Sequence, residues 1–515
     1  MKGNIVTRPH LLIISREKSR ILLNDGDVRK MAEDFGYEVV LAANLSKLAQ
    51  IYDSFFARSF SKHEQKKLGI GAFVSCFIIA ATFLILFKPE IRHFKVVNVK
   101  VSLRGGPKIL AIREEITKPR KPYFEIEQEK TICNVTHPRA DLCEMNGDIR
   151  IHGNSSTVYL VSTDQLPPQK NNSWSIRPYA RKGDDRAMDR VTNLTVKKLH
   201  ISQQLPICTR NYTVPAVVFS TKGYAGNHFH DFTDVLIPLF QTSLRFNGEA
   251  QFLITNHMPW WINKYKPVLQ RLSKYEIIDI DKEKEVLCFP SMTIGLKANK
   301  EFSINTSESP YSMRDFTKFL KSTYSLKRKF AVRLKNNADD PGSKNKPRLL
   351  IISRSKTRRF INLDEIFTMT RNLGFRVVVE ETRENVAQVA KKVNSFDVLM
   401  GVHGAGLTNM VFLPENAAVI QIVGLGMEWV SKVDFQIPAM DMNLKYLDYK
   451  ISVNESSLIQ QYPLEHHVLR DPPGNMISPK GWVSYRKIYL DQQDVKIDVN
   501  RFRATLLKAL ELLRS

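Results

Sequence analysis

Cysteine is scarce. The chain has 5 in 515 residues, with no Cys-x-x-Cys pair and no cysteine–histidine group at zinc-ligand spacing. That excludes zinc-finger modules and thioredoxin-like redox motifs. Acidic residues are also short, 52 against 76 lysines and arginines, so the formal charge is +24. Hydrophobic residues at 43% and charged residues at 25% are ordinary globular values, which excludes a wholly disordered or collagen-like chain. A length of 515 leaves room for a large core and for roughly two to four domains. The positive excess suits nucleic acid, a membrane surface, or a polyanionic or phosphate-bearing ligand.

Long apolar runs are absent but for one. Residues 68–87 hold 20 positions without a charge, enough to span the hydrocarbon layer at about 1.5 Å per residue. The run starts too late, and lacks the small-residue cleavage site, for a removable signal peptide. Lysines 62, 66 and 67 precede it, but Lys88, Arg92 and Lys95 follow, so charge alone orients it weakly. Glycosylation sequons decide the matter. Seven follow the run, at Asn134, Asn154, Asn171, Asn193, Asn211, Asn305 and Asn454. Cys133, Cys143, Cys208 and Cys288 also follow it, giving two disulfides with three pairings open. The expectation is a type II membrane protein: cytosolic tail 54–67, transmembrane helix 68–87, stem 88–125 and a lumenal body.

An internal repeat precedes the membrane run. With a constant offset of 338, Pro9, Leu11, Leu12, Ile13, Ile14, Ser15 and Arg16 match Pro347, Leu349, Leu350, Ile351, Ile352, Ser353 and Arg354. Lys18, Arg20, Asn24, Met31, Gly36, Val39 and Val40 continue the match, making 14 identities over positions 9–40. A single strand–helix–strand piece cannot bury its apolar face alone. Residues 1–53 therefore read as a duplicated fragment, fused from a neighbouring gene copy or an artefact of the gene model; the plainer alternative is a genuine cytosolic tail.

In the body, short alternating stretches at 149–152 and 157–161 predict strands. From position 214 strands and helices alternate: strands 214–220, 250–255 and 275–281, with helices 227–246 and 260–273. A polar basic stretch, 327–347, reads as a crossover. A second series follows, with strands 348–353, 375–380, 397–402 and 417–423 and helices 364–373, 384–395, 407–413 and 501–513. Such alternation predicts an α/β fold with mostly parallel sheets. The simplest assembly is two Rossmann-like domains facing a cleft. These are an N-terminal domain 126–340, a C-terminal domain 341–498 and a closing helix 499–515, with ligand at the C-terminal strand ends.

Three motifs carry chemistry. The loop Gly401-Val402-His403-Gly404-Ala405-Gly406-Leu407-Thr408-Asn409 joins a strand to a helix. Its small residues let backbone N–H groups approach a diphosphate, and the helix dipole favours the anion. In Ser353-Arg354-Ser355-Lys356-Thr357-Arg358-Arg359, Arg354 and Arg358 offer bidentate donors at the same strand edge, while Lys356 and Arg359 suit a solvated face. In Asn227-His228-Phe229-His230-Asp231-Phe232-Thr233-Asp234, His230 and Asp234 stand one helical turn apart. An imidazole or carboxylate there deprotonates a hydroxyl while its partner orients it. The plainer reading is a capped polar helix start, and the roles of His230, Asp231 and Asp234 stay open among the three. Asp279-Ile280-Asp281 is read as a solvated strand end rather than a metal site. Trp260-Trp261 is read as core rather than as a sugar platform.

Residues 226–240, 349–362 and 401–414 together resemble the plant branch of glycosyltransferase family 61. The sequence Lys62-His63-Glu64-Gln65-Lys66-Lys67-Leu68-Gly69 before the apolar run resembles that branch's N-terminus. The resemblance covers about 59–515. It implies a two-domain GT-B fold, a Golgi location, and inverting transfer from a UDP-sugar with no metal or other cofactor. Grass members place arabinofuranose or xylose on the xylan backbone. By motif, Arg354, Arg358, Asn362, His403, Gly404, Ala405 and Gly406 are expected around the diphosphate, and His230 and Asp234 at the acid/base position. Some relatives have glutamate where Gln421 stands, and an amide there still hydrogen-bonds a ribose. The expected function is pentose transfer from a UDP-pentose to xylan. The alternatives are another acceptor, an N-glycan or mucilage polysaccharide, or a non-catalytic carbohydrate-binding protein.

The charge is concentrated. Residues 321–360 hold 13 basic and 2 acidic side chains, or +11. That field lies beyond the membrane run and suits a nucleotide diphosphate or an acidic polysaccharide rather than nucleic acid.

Overall fold

The computed structural model describes residues 10–14, 38–42, 132–163, 172–334, 346–381, 385–473 and 481–514. The apolar run, the stem and Asn171 lie outside the described residues. None of the described helices is long and apolar enough to cross a membrane. The chain forms two units, Met1–Tyr123 and Phe124–Ser515.

In the first unit, β1 (His10–Ile14) and β2 (Glu38–Ala42) pair in parallel, from His10 with Glu38 to Ile14 with Ala42. In the second, Arg348 pairs with Arg376 through to Ile352 with Glu380. The two registers are the same after a shift of 338, so the repeat extends from sequence to strand pairing.

The second unit contains two sheets. The first comprises β3 (Cys133–Asn134), β4 (Leu142–His152), β5 (Thr157–Ser162), β6 (Ser173–Ile176), β7 (Leu194–His200) and β8 (Arg210–Asn211). It continues with β9 (Ala216–Ser220), β10 (Gln251–Thr255), β11 (Ile278–Asp279) and β12 (Val286–Ile294). Its order is β11-β10-β9-β12-β4-β5-β7-β6, with β3 on β4 and β8 on β12. Only the β11-β10-β9-β12 side is parallel throughout, because β4 runs antiparallel to both β12 and β5. The parallel pairing expected from position 214 onward holds; the antiparallel pairs all involve strands before it. Long-range pairing of β4 with β12 leaves no local signal beyond alternation. Disulfides Cys133–Cys143 and Cys208–Cys288 staple this sheet and resolve the open pairing.

The second sheet comprises β13 (Arg348–Ile352), β14 (Arg376–Glu380), β15 (Val398–Val402), β16 (Ala418–Val423) and β17 (Lys445–Lys450). Its order is β14-β13-β15-β16-β17, and every pair is parallel. The central strands β13, β15 and β16 are buried and mainly apolar, as a sheet covered on both faces requires, while the edge strands β14 and β17 carry charges. The strand order reverses direction between β13 and β15, where an open α/β sheet parts its loops into a crevice. The closing helix, Val499–Leu512, starts at Asp498, whose carboxylate caps Asn500 and Arg501, and buries Phe502, Leu506 and Ala509.

A shared core joins the two sheets. Phe232 meets Phe412 at 6.0 Å between ring centroids and Phe316 at 6.2 Å, all three buried. Each such ring removed from water is worth about 1.5–3 kcal/mol. The basic crossover begins docking early: Ala331 N donates to Glu415 O, and Leu334 N to Leu513 O.

Candidate active site

The helix predicted over 227–246 forms, but not as a regular α-helix. His228–His230 opens it, Asp231–Leu236 is a π turn, and Ile237–Ser243 resumes α geometry with Pro238 near its start. Asn227 caps it by accepting from Phe229 N at 3.0 Å. Wide turns of this kind often mark functional sites.

His230 Nδ1 lies 3.0 Å from Asp234 Oδ2. Asp234 is fully buried and also accepts from the Tyr179 hydroxyl at 2.8 Å, Arg181 Nε at 2.8 Å and Arg139 Nη2 at 3.3 Å. Glu301 completes the cluster, 2.6 Å from Arg139 Nη1 and 2.7 Å from Arg181 Nη2. Two guanidiniums thus face two carboxylates. Burial opposes ionisation of Asp234, but Arg181 and the His230 hydrogen bond outweigh it and hold its pKa well below the carboxylate range. Burial likewise opposes ionisation of Glu301, and Arg139 with Arg181 outweighs it. A charged Asp234 fixes the Nδ1–H tautomer of His230. The ring's Nε2 has no partner among the described residues, and its side chain is 19% exposed.

Asp231 is placed differently. Its oxygens accept from Trp261 Nε1 at 2.8 Å, Gly226 N at 2.9 Å, the Tyr265 hydroxyl at 2.7 Å and Lys264 Nζ at 2.9 Å. Four donors occupy it, so it ties the loop before the helix to helix Pro259–Leu272 and offers no face to a substrate. Trp261 is the core residue expected, whereas Trp260 is half exposed.

Across the cleft, β15 ends at Val402 and a tight helix, Ala405–Phe412, begins after Gly404. Gly404 has φ of +146°, and a Cβ there would stand 2.7 Å from Arg354 Nη1 and 3.5 Å from Arg358 Cζ. The glycine is what lets both guanidiniums lie against the backbone. Arg354 is oriented by Thr357, with Nε 2.7 Å from its carbonyl and Nη2 3.2 Å from its hydroxyl. Arg358 sits in the left-handed region at φ +55°. Its Nε is buried without a hydrogen bond. Burial and the Arg354 charge push the Arg358 pKa down to about 9. Neither arginine has a direct ion-pair partner among the described residues; Glu381 and Asp491 act on them only from a distance. Among the described basic residues of 321–360, Arg354 and Arg358 lie against the glycine loop, and Lys356 lines the adjoining cavity. Arg328 pairs instead with Asp397 at 2.5 Å and Arg359 with Asp494 at 2.6 Å.

His403 is buried, and burial with Arg358 and Arg354 keeps its pKa well below the usual value, so it is neutral. Its Nδ1 is 2.9 Å from Gln421 Nε2, while Tyr446 donates to Gln421 Oε1 at 2.7 Å. That chain leaves the His403 proton on Nε2. Gln421 is fully buried and stands behind His403 rather than in the open cleft. Asn362 is likewise outside the cradle, because its amide bonds Ile497 O at 2.8 Å, Ile497 N at 3.0 Å and Glu365 at 2.9 Å. Asp281 accepts from Thr255 and Asn256 N, and Asp279 pairs with Lys282, so the two acids face different partners.

His228 Nε2 reaches Asn409 Oδ1 at 3.1 Å and links the two sides. Between them lies a cavity of about 360 Å³, lined by His228, Lys264, Arg354, Lys356, Glu381 and Gly406 among others, at the β13/β15 reversal. A 360 Å³ pocket is large enough for a small organic ligand. Tyr179, Arg181, Arg139 and Glu301 were not expected. Arg177-Pro178-Tyr179-Ala180-Arg181 is their one compact segment, and nothing in its spacing points to position 234.

A positioned His–Asp pair and an arginine-flanked glycine loop suit group-transfer chemistry, and the comparisons give the class, a glycosyltransferase. The family described as Glycosyltransferase 61 matches residues 228–420. The chain is 47% identical to a rice (Oryza sativa subsp. japonica) alpha-1,3-arabinosyltransferase over 78% of this chain and 70% of that protein. It is 40% identical to a rice beta-1,2-xylosyltransferase over 85% and 95%. It is 32% identical to an Arabidopsis thaliana xylan glycosyltransferase over 84% and 88%. This chain belongs to glycosyltransferase family 61.

Proposed function

We propose that this chain transfers a pentose, arabinofuranose or xylose, from a UDP-sugar to the xylan backbone. The observation that carries the reading is the His230–Asp234 pair and the Arg354–Arg358 cradle at Gly404, linked through Phe435, whose ring meets both His403 and Phe229. The names of the rice and Arabidopsis relatives support the pentose and the xylan acceptor.

In this reading His230 Nε2 takes the proton of the acceptor hydroxyl, and Asp234 stabilises the imidazolium that forms. The hydroxyl oxygen attacks C1 of the donor sugar from the face opposite the diphosphate, so configuration inverts. The C1–O bond breaks with its electron pair, and the departing UDP gains negative charge. Arg354, Arg358 and the backbone N–H groups after Gly404 stabilise that charge in a site of low dielectric. The reaction as written draws on no metal and no cofactor beyond the UDP-sugar.

We read the fold as GT-B. Two disulfides and exposed asparagines at positions 134, 154, 193, 211 and 454 support a glycosylated lumenal body. A type II Golgi anchor at 68–87 is the corresponding topology. The test is incubation of the full chain with UDP-arabinofuranose or UDP-xylose and xylo-oligosaccharides, His230→Ala serving as control. Pentosylated xylo-oligosaccharide from the native chain alone is expected. Turnover only on a non-xylan acceptor overturns the acceptor assignment, and equal turnover in the control overturns the base.

A further inference from the structure

Asp434 lies in the π turn Lys432–Gln436, on the side of the cleft that carries the cradle. Its neighbour Phe435 is buried, 5.2 Å from the His403 ring and 5.6 Å from the Phe229 ring. Phe229 in turn stands 5.5 Å from His230. The turn therefore occupies the interval between the diphosphate cradle and the acid/base pair. A donor bound with its diphosphate on Arg354 and Arg358 must put its sugar in that interval, since the sugar follows the second phosphate and its C1 must reach the acceptor.

Asp434 is the carboxyl there that is not already engaged. Asp231, Asp234 and Glu301 are each held by several donors. Asp434 has no hydrogen bond among the described residues; its nearest cation-capable atom is His403 Nε2, at 3.8 Å, beyond hydrogen-bond reach. The side chain is 24% exposed. The groups that act on it come from both sides of the cleft: Glu301 and Asp234 repel it, Arg181 and Arg139 attract it, and His403 faces it. A half-buried carboxyl left without a partner loses free energy unless a ligand supplies one.

We propose that Asp434 holds the transferred sugar, hydrogen-bonding its ring hydroxyls and setting which pentose is accepted. This rests on the donor-side reading given above and extends it to the sugar. Burial and the Glu301 carboxylate push the Asp434 pKa well above its ordinary value; in either protonation state the carboxyl accepts from a sugar hydroxyl, and when protonated it also donates to one. Pentofuranose and pentopyranose rings present their hydroxyls at different heights, and a buried polar partner discriminates between them more sharply than an apolar wall.

The experiment compares UDP, UDP-xylose and UDP-arabinofuranose on the full chain, with Asp434→Ala and the equal-volume Asp434→Asn. Both variants are expected to bind UDP within about twofold of the native chain, since the cradle is intact. Asp434→Ala loses about tenfold or more in kcat/KM, the order of one hydrogen bond. Asp434→Asn loses less, and its preference between the two pentoses changes. Should Asp434→Ala fail to fold, the altered preference of Asp434→Asn carries the test alone. Unchanged kcat/KM and preference in the variants overturn the proposal. So does a parallel loss of UDP binding, which assigns Asp434 to the cradle. A native chain that transfers neither pentose sinks the proposed function itself, and this inference with it.

Discussion

His230 Nδ1 is 3.0 Å from Asp234 Oδ2, and the same carboxylate is gripped by Tyr179 and Arg181, each at 2.8 Å. Asp234 is therefore an orienting charge, and His230 the group with a nitrogen to spare. His230→Ala should lower kcat by about 10²- to 10⁴-fold while UDP still binds. Asp234→Asn should lose activity and, by leaving Arg139 and Arg181 short of a counter-charge, about 3–5 kcal/mol of stability. Asp231→Asn should lose stability, with kcat of the folded fraction near native. Initial rates alongside urea melts separate these outcomes, and near-native turnover in His230→Ala contradicts the assignment.

Gly404→Ala places a methyl 2.7 Å from Arg354 Nη1 at a backbone φ of +146°. The guanidinium must move away from the backbone. Calorimetry should find UDP affinity reduced about tenfold or more, and the melting midpoint should fall as well, because an L residue at that φ costs about 1–3 kcal/mol. Native affinity would mean that UDP does not lie on this loop.

Arg358 is buried beside Arg354 without a paired carboxylate, and its pKa is pushed down to about 9. The ligand-free protein therefore carries an electrostatic cost that a bound anion would relieve. Arg358→Met should raise the melting midpoint without ligand and abolish most of the shift that UDP produces. A lower midpoint without ligand would show that Arg358 serves the fold.

His228 has its pKa pushed from 6.5 to about 4, first by burial and then by Lys264. The unfolded chain takes up this proton near pH 6.5, whereas the folded chain refuses it until about pH 4. Stability is thus complete above 6.5 and falls as pH drops through that window. Asp234 and Glu301 have lowered pKa values, so their contribution is present above the ordinary carboxylate range and is lost in stronger acid. His228→Gln should flatten the midpoint-versus-pH curve between 6.5 and 4. Parallel curves for the two proteins would count against it.

The Cys208–Cys288 bridge closes a separation of 80 residues and Cys133–Cys143 one of 10. On loop entropy they contribute about 4.5 and about 2.7 kcal/mol. Cys208→Ser with Cys288→Ser should lower stability more than the Cys133/Cys143 double variant, as read by denaturant melts. The reverse order would point to strain or residual structure as the larger effect.

Much of the fold was legible because its signal is local. The strands predicted over 348–353, 375–380, 397–402 and 417–423 appear as Arg348–Ile352, Arg376–Glu380, Val398–Val402 and Ala418–Val423. Each is a short apolar run bounded by polar residues. Strand Val286–Ile294 escaped, since it mixes both periods and its pairing with Leu142–His152 is made across more than a hundred residues. The predicted strand 275–281 shrinks to Ile278–Asp279, where only two residues find a partner.

By itself the sequence determined the β/α order, the repeat at offset 338, the glycine loop after a strand and the arginines beside it. These depend on residue type and spacing within one turn or one strand. Tertiary structure decided which of His230, Asp231 and Asp234 is left free. Spacing places all three on one helix, but their partners come from elsewhere: Arg181 from 53 residues before Asp234, Tyr265 from 34 after Asp231. It also decided that Asn362 and Gln421 stand behind the cradle and that Asp434 faces the cleft. A side chain's role here is set by which donors and charges surround it, and only the folded chain brings those together.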